Sequence, residues 1–465
     1  MTYVQRLGAF AAGCREKGIP PEVELSVRQR IVDILGICVA AQYLDTSEAA
    51  VAFVLATGGV AEAHVVGQGT RVPAAQAAFA NGVLAHSLDY DDTHLPSVLH
   101  PSASVIPAAL AVAEAQGSRG AELTAAIAAG LEICVRLGMA GYDRKARNST
   151  FFQHGQHATS ICGAVASAAT AAVLLDLDAE GIAHAMAISV SYASGVIEGN
   201  RTGGTVKRSH CGWAAHGGVM AAQLAARGFT GPPTALEGRF GFYQAFLGGR
   251  FDPRELDDGL GQRWEVPRIF FKPYPANHFS HAGIDAAIRL REQGLRPEDV
   301  ASAELGIPSP TVRTLGEPIG VKRMPETGYQ AQFSGPYTVA AALFGGQGLG
   351  LGLADFDDDL VRSRERRELM ARIDVVGEPR CDEIFPDQLP AVLRVTTKDG
   401  RQLEEAVLSN RGGPERPLSD DEIREKLKNN VQGWISDSSA QRIGEILDGL
   451  GGLDDVAGVM MATAG

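Results

Sequence analysis

The chain has 465 residues, 42 Lys and Arg against 55 Asp and Glu, a formal charge of −13, and 45% hydrophobic residues. That length suggests two or three domains and a core large enough to fold without staples. Binding a phosphate backbone or an anionic membrane surface needs a concentrated positive face, so nucleic acid and membrane are excluded as main partners, and a small anionic ligand would require cations gathered locally.

From the N-terminus, MTYVQRLGAFAAGCREK is too short and too soon interrupted for a signal peptide, and six dispersed cysteines with no CxxC pair fit reduced thiols. A cytoplasmic location is expected. Apolar residues at three- and four-residue spacing predict helices over Pro21 to Gln42, Ala74 to Leu88, Ser104 to Gln116, Ala121 to Gly141, Ala158 to Leu175, Ala179 to Ser194 and Ala214 to Arg227. Their Ala- and Gly-rich faces allow close approach, and the uncharged stretch from Ala158 reads as a buried small-residue helix, not a membrane span.

Near residue 265 the texture changes. A helix capped at Ser280 (Ala282 to Gln293), strands over Val300 to Ile307, Ile373 to Val376 and Ala391 to Thr397, and an Asp399-Gly400 turn leading to a strand over Gln402 to Leu408 are predicted, with helices over Tyr329 to Phe344 and Asp358 to Ala371 between them. Ser419 to Glu422 has the form of a capping box opening a further helix. The fold class expected is mostly α: a large all-helical domain plus a smaller α+β domain.

Eight of eleven histidines fall between residues 86 and 216, so one region is rich in groups that titrate near neutral pH. His86, Asp89, Asp91, Asp92 and His94 form the densest patch, read as a polar loop between one helix end and a second helix capped at Ser102. A metal site is conceivable from these identities, but the spacing matches no ligand motif. Acid/base chemistry without a metal, in which a carboxylate and an imidazole have their pKa values pushed apart, is the second functional reading. His154 and His157 precede a helix start that favours an anion, His157 being the stronger candidate for function. Arg201, Lys207, Arg208 and His210 lie within ten residues that hold no acid, as expected of a carboxylate grip: Arg208 binds in a fork and Lys207 acts as a point charge or proton donor. Lys272, Asn277, His278 and His281 form a fourth patch at the expected domain junction. Signatures of nucleotide binding, of the α/β-hydrolase elbow and of zincins are absent from the sequence.

Six segments in order carry a family resemblance: Asn81-Gly82 through His94, His100-Pro-Ser with Val105-Ile-Pro107, Gly155 to Ser160, Val206 to His210 with Gly212 to His216, Lys272-Pro-Tyr-Pro275, and Gln332-Phe333 to Pro336-Tyr337. Together they resemble the MmgE/PrpD family, which includes 2-methylcitrate dehydratase, cis-aconitate decarboxylase and iminodisuccinate epimerase. The resemblance implies a homodimer. Each subunit would have a helical domain from residues 1–265, an α+β lid over 266–412, a return to the helical domain over 413–465, and the active site in the cleft. In the decarboxylase branch, residues that look like Asp89, Thr93, His100, His157, Lys207 and Lys272 line that site. This sequence differs where a histidine would follow the Pro-Ala pair: Asn277 stands there and His278 comes next. The stretch between Thr93 and His100 is also one residue longer.

The expectation is a lyase that needs no metal or other cofactor, acting on a small di- or tricarboxylate by proton abstraction next to a carboxylate and elimination, as a dehydratase or decarboxylase. Asp89, His100, His157 and Lys207 are the catalytic candidates, with His157 or His100 as the base; Thr93, Arg208, Lys272 and His278 are the substrate-binding candidates. An epimerase of an iminodisuccinate-like dicarboxylate and a non-catalytic helical binding protein are the alternatives.

Overall fold

The computed structural model describes residues 1–464, without the side chains of Asn200 and Arg201. Residues 1–269 with 431–465 cluster as one unit and 270–430 as a second. The longer helices of the first are α1 (Tyr3–Lys17), α2 (Pro21–Ala40), α3 (Asp45–Thr57), α4 (Ala74–His86), α5 (Ser102–Gln116), α6 (Gly120–Ala140), α7 (Ala158–Leu174), α8 (Ala179–Ser189) and α9 (His210–Ala225). α1 and α3 were not anticipated from sequence. Two-residue ladders, Ala63–His64 with Arg71–Val72 and Tyr142–Asp143 with Asn148–Ser149, interrupt what was expected to be all-helical.

Small residues set the packing. α7 is buried along its whole length, and α9 packs on both α7 and α4. Where α4 meets α9, a Cβ on Gly82 would lie 2.7 Å from the Gly212 Cα, and one on Gly212 would lie 2.4 Å from the Phe79 carbonyl oxygen. No side chain fits between backbones this close, so glycine is required at both positions. The contact fixes the site as well, because α4 carries His86 in its last turn and α9 begins at His210.

α6 alone, among single helices in the described residues, is long and apolar enough to cross a membrane. It lies within the bundle and carries a buried ion pair, Glu132 Oε1 to Arg136 Nε at 2.7 Å. That pair explains why the sequence boundary near 265 falls short of the observed one. Glu132 Oε2 accepts from the Glu265 and Val266 N–H groups (2.8 and 3.2 Å), while Arg136 donates to the carbonyls of Glu255, Asp258 and Arg263. The charged, Gly- and Pro-containing segment therefore belongs to the helical unit, held there by buried charges.

In the second unit, β1 (Val300–Ile307), β2 (Ile373–Gly377), β3 (Ala391–Thr397) and β4 (Gln402–Val407) form one sheet in the order β2-β1-β3-β4. β1 pairs parallel with β2 and antiparallel with β3, with Leu305 opposite both Val375 and Leu393. The expected Asp399-Gly400 turn joins β3 to β4, Gly400 standing at φ +88°. α10 (His281–Glu292) and α11 (Gly335–Phe344) pack here, and Ile284, Leu290 and Val339 share a core with Leu305 and Leu393. The helix expected over Tyr329 to Phe344 breaks at Ser334, whose side chain accepts from the Tyr337 N–H and restarts the chain as α11. Ser280 precedes α10 but makes no side-chain cap.

The capping box is present: Ser419 N donates to Glu422 Oε2 at 2.8 Å, and Glu422 N to Ser419 Oγ at 3.2 Å. The helix it opens, Asp420–Val431, falls almost wholly within the second unit, and Glu422 pairs there with Arg411. Residues 413–430, read from sequence as part of the C-terminal return, thus cluster with the α+β unit, and the return begins at Val431.

Gly212→Ala is expected to cost about 1–3 kcal/mol of stability through overpacking, measured as a lower urea midpoint. An unchanged midpoint would contradict the close α4–α9 approach.

Candidate active site

The loop from Ser87 to Pro101 between α4 and α5 is not the solvated acidic loop its composition suggests; every residue from Asp89 to His94 is buried. Asp92 anchors it. Arg30 on α2 donates to Asp92 Oδ2 at 2.8 Å, both side chains being 1% exposed, and also to the carbonyls of Ile269 (2.5 Å) and Val266 (3.4 Å). Ser102, expected as a helix cap, follows the N-cap residue Pro101; its Oγ donates to Asp92 Oδ2 and its N–H to Oδ1 at 3.2 Å. Burial pushes the Asp92 carboxyl up, against the downward pull of Arg30 and Ser102. Such a pair is not a large net stabiliser, but losing one partner strands a charge in the core.

The same residue orients a candidate base. The Asp92 carbonyl accepts from His100 Nδ1 at 2.6 Å, and Thr93 Oγ1 lies 3.2 Å from that nitrogen. With its proton committed at Nδ1, a neutral His100 has its lone pair at Nε2. The backbone N–H of His100 donates to Thr159 Oγ1 at 3.2 Å, tying the loop to α7. The longer stretch between Thr93 and His100 closes on itself: His94 and Leu99 pair as a bridge, Leu95–Ser97 forms a 3-10 turn, and His94 Nδ1 meets Ser97 Oγ at 2.8 Å.

Four imidazoles form a line. Ring centroids are 5.5 Å apart from His100 to His86, 5.7 Å from His86 to His157, and 5.0 Å from His157 to His210. His86 Nδ1 lies 2.8 Å from Asp91 Oδ2, and the Nδ1 atoms of His157 and His210 are 3.0 Å apart. Burial, with the positive charges of His86, Lys207, His210 and His100 around it, holds His157 well below the usual imidazole range. Burial and the charges of His86 and Lys207 bring His210 down to about 4. At neutral pH both rings are uncharged, so the single hydrogen between their Nδ1 atoms has a donor on one ring and an acceptor on the other.

Lys207 stands beside this line, its Nζ 3.1 Å from Asp89 Oδ1. Asp89 has φ +52°, a left-handed conformation that Asp tolerates better than most side chains. Arg208, expected in the same grip, donates instead to Thr46 Oγ1 at 2.9 Å, so the two adjacent cations reach different partners. The side chain of Arg201 lies outside the described residues. His154 is on the surface, bonded to the Phe246 carbonyl. The five residues of the densest patch likewise diverge: Asp89 to Lys207, Asp91 to His86, Asp92 to Arg30, and His94 towards Glu265 at 3.5 Å. Among the described residues no three His, Cys, Asp or Glu side chains converge as a metal-ligand set.

Lys272 and His278 belong to the second unit and both are buried. The segment that holds them is braced by Tyr274, whose hydroxyl donates to Asp285 Oδ1 at 2.5 Å and accepts from Arg411 at 3.2 Å. His278 packs against Phe270 and His281 at centroid distances of 5.7 and 4.7 Å. Asn277 has a local role: its side chain accepts from the Phe279 N–H at 3.1 Å and its N–H donates to the Gln332 carbonyl at 2.9 Å, tying the chain just beyond Pro275 to the last of the resemblance segments.

The profile of the MmgE/PrpD N-terminal domain matches residues 5–254, and that of the MmgE/PrpD C-terminal domain matches residues 274–450. The chain belongs to the MmgE/PrpD family. It is 29% identical over 402 residues to a human cis-aconitate decarboxylase, covering 83% of this chain and 78% of that protein. Similar figures hold for the mouse cis-aconitate decarboxylase (28%; 83% and 77%) and one from Aspergillus terreus (27%; 84% and 81%). All three of these relatives of the MmgE/PrpD chain are named cis-aconitate decarboxylases.

Sequence reasoning missed Arg30, Glu132 and the pairing of His157 with His210 in the MmgE/PrpD chain. Arg30 lies 62 positions before Asp92 within a regular helix pattern, and only its charge among apolar neighbours hinted at a buried partner. His210 was seen as part of the cationic loop but not as a contact of His157.

Because the folded-state pKa of His210 is about 4, below the ordinary 6.5, the unfolded chain binds the proton first as pH falls. Stability is fully present above about pH 6.5 and is lost towards pH 4, on the order of 2–3 kcal/mol for this ring at about 1.4 kcal/mol per unit. Urea midpoints at pH 7 and pH 5 should differ less in His210→Asn than in the parent; equal differences would contradict the neutral buried ring.

Proposed function

We propose that this chain is a cofactor-independent lyase of a small di- or tricarboxylate, working by proton transfer next to a carboxylate followed by elimination. The single observation that carries the reading is the combination, at one end of the helical unit, of uncharged imidazoles with the Lys207–Asp89 pair. An imidazole kept neutral at pH 7 is ready to accept a proton, and a cation beside it stabilises the enolate-like charge left behind.

In this reading the roles divide among these groups. His157 or His100 takes the proton; His100 has its Nδ1–H committed to the Asp92 carbonyl, and His157 shares its Nδ1 with His210. Lys207 holds the carboxylate on which negative charge develops, and Asp89 orients Lys207 or supplies a proton. Thr93 and Arg208 are the binding groups of the helical unit, while Lys272 enters the proposal on the resemblance and His278 on its place in the fourth histidine-bearing patch of the sequence. In a dehydration the C–H electrons form the new double bond and hydroxide leaves as water. In a decarboxylation the C–CO₂ bond breaks and leaves its electrons on carbon, CO₂ departs, and the carbanion takes one proton from Lys207, which solvent then recharges. The names of the relatives make cis-aconitate the first substrate to test. The proposal includes the homodimer that the resemblance implies, and a cytoplasmic location, which six free, buried cysteines fit.

The test is to incubate chelator-treated protein in D₂O with cis-aconitate, citrate, 2-methylcitrate and iminodisuccinate and to follow products by NMR. Deuterium at the carbon next to a carboxylate is expected, with at least a ~100-fold loss of rate in Lys207→Ala. The absence of exchange and product across the panel would contradict the lyase.

A further inference from the structure

His86 is the one ring of the four-imidazole line that the function above leaves without a task. It lies in the last turn of α4, is 2% exposed, and occupies the middle of the line, between His100 and His157. Its Nδ1 is committed to Asp91, a carboxylate that is itself fully buried. Its Nε2 is buried and has no hydrogen-bond partner. A buried polar atom left without a partner costs free energy, and a folded chain seldom retains one unless it has a role. Packing alone would be served by an apolar ring, with neither the stranded nitrogen nor the buried carboxylate.

We propose that the His86–Asp91 pair is a positioning device for the candidate site: Asp91 fixes the proton of His86 at Nδ1, and the ring so fixed, packed between those of His100 and His157, governs the protonation of His157. The Asp91 carboxylate accepts the Nδ1–H, so a neutral His86 has its lone pair at Nε2. Among the described residues no carboxylate is bonded to the ring of His157 or His210.

The charges around His157 agree with this division. His86 on α4 is the foremost of the charged neighbours that lower it, ahead of Lys207, His210 on α9 and His100 before α5, and it is likewise foremost for His210. The other acids nearby are occupied or lie elsewhere: Asp89 holds Lys207, Asp92 holds Arg30, and Asp33 on α2 acts with Asp91 on the Cys38 thiol. The inference rests on the lyase reading for its catalytic meaning, but its physical content is the protonation state of His157, which is measurable without substrate.

The experiment labels histidine with ¹³C and ¹⁵N and follows each ring by NMR from pH 4 to pH 8 in the parent, His86→Gln and Asp91→Asn. His86→Gln removes the neighbouring ring that lowers His157, so the His157 midpoint should move up in pH. In Asp91→Asn the His86 ring should lose its fixed Nδ1–H tautomer. In turnover, the acid limb of the kcat/KM profile should move to higher pH in His86→Gln, with kcat down on the order of 10–100-fold and KM nearly unchanged. A structural role would lower stability and leave the His157 midpoint and the acid limb where they were, which overturns the proposal. Should His86→Gln fail to fold, the tautomer in Asp91→Asn decides: an unchanged Nδ1–H form overturns it. A parent inactive on every polycarboxylate, with a His157 midpoint that still moves, would sink the lyase reading and leave the positioning role standing.

Discussion

Asp92 is the residue on which the helical unit's fold and its chemistry both depend. Its carboxylate neutralises Arg30 and accepts from Ser102, while its carbonyl fixes the ring of His100. Arg30 in turn holds the carbonyls of Val266 and Ile269, the last residues before the chain enters the second unit. One buried ion pair thus sets three things at once: the start of α5, the conformation of the loop after α4, and the end of the helical unit. A charge pair with no water around it is rigid because any displacement uncovers an uncompensated charge, and rigidity is what a proton-transfer site needs to hold its groups at a fixed distance.

The second constraint is electrostatic. A net charge of −13 opposes a carboxylate ligand at long range, yet net charge governs solubility and encounter, not the potential at one site. In the histidine line the carboxylates are already engaged, Asp89 by Lys207, Asp91 by His86 and Asp92 by Arg30. What remains is neutral imidazole and partly compensated cation. Two rings held neutral by burial are also groups that an arriving anion would help to protonate, which couples binding to proton uptake.

Much of this was legible in the sequence where the cause is local. The periodicity of Ala158 to Leu175 and of Val300 to Ile307, the Asp399-Gly400 turn and the Ser419 capping box each depend on neighbours a few positions away. The helix expected over Tyr329 to Phe344 broke at Ser334, whose side chain restarts the chain, and the one expected over Asp358 to Ala371 broke at Ser363, which makes no side-chain cap. Candidate residues also emerged from sequence, because the order of six short segments carried a family resemblance. What could not be read were pairings between distant elements. Arg30 looked like one charge in a helix, Arg208 like a partner of Lys207, and Ser102 like a cap; each found its bond through tertiary packing. Gly82 and Gly212 were visible as glycines, but that they face one another, and so align His86 with His210, belongs to the fold.

The central claim is that neutral buried imidazoles and Lys207 together receive a small polycarboxylate. Its most direct test is calorimetric titration of the parent with tricarballylate, an unreactive tricarboxylate, at pH 6 in buffers of different ionisation enthalpy. Net proton uptake on binding is predicted, because the anion raises the affinity of the depressed imidazoles for protons, together with weaker binding in Lys207→Met. Binding that takes up no proton and is indifferent to Lys207→Met would contradict the account.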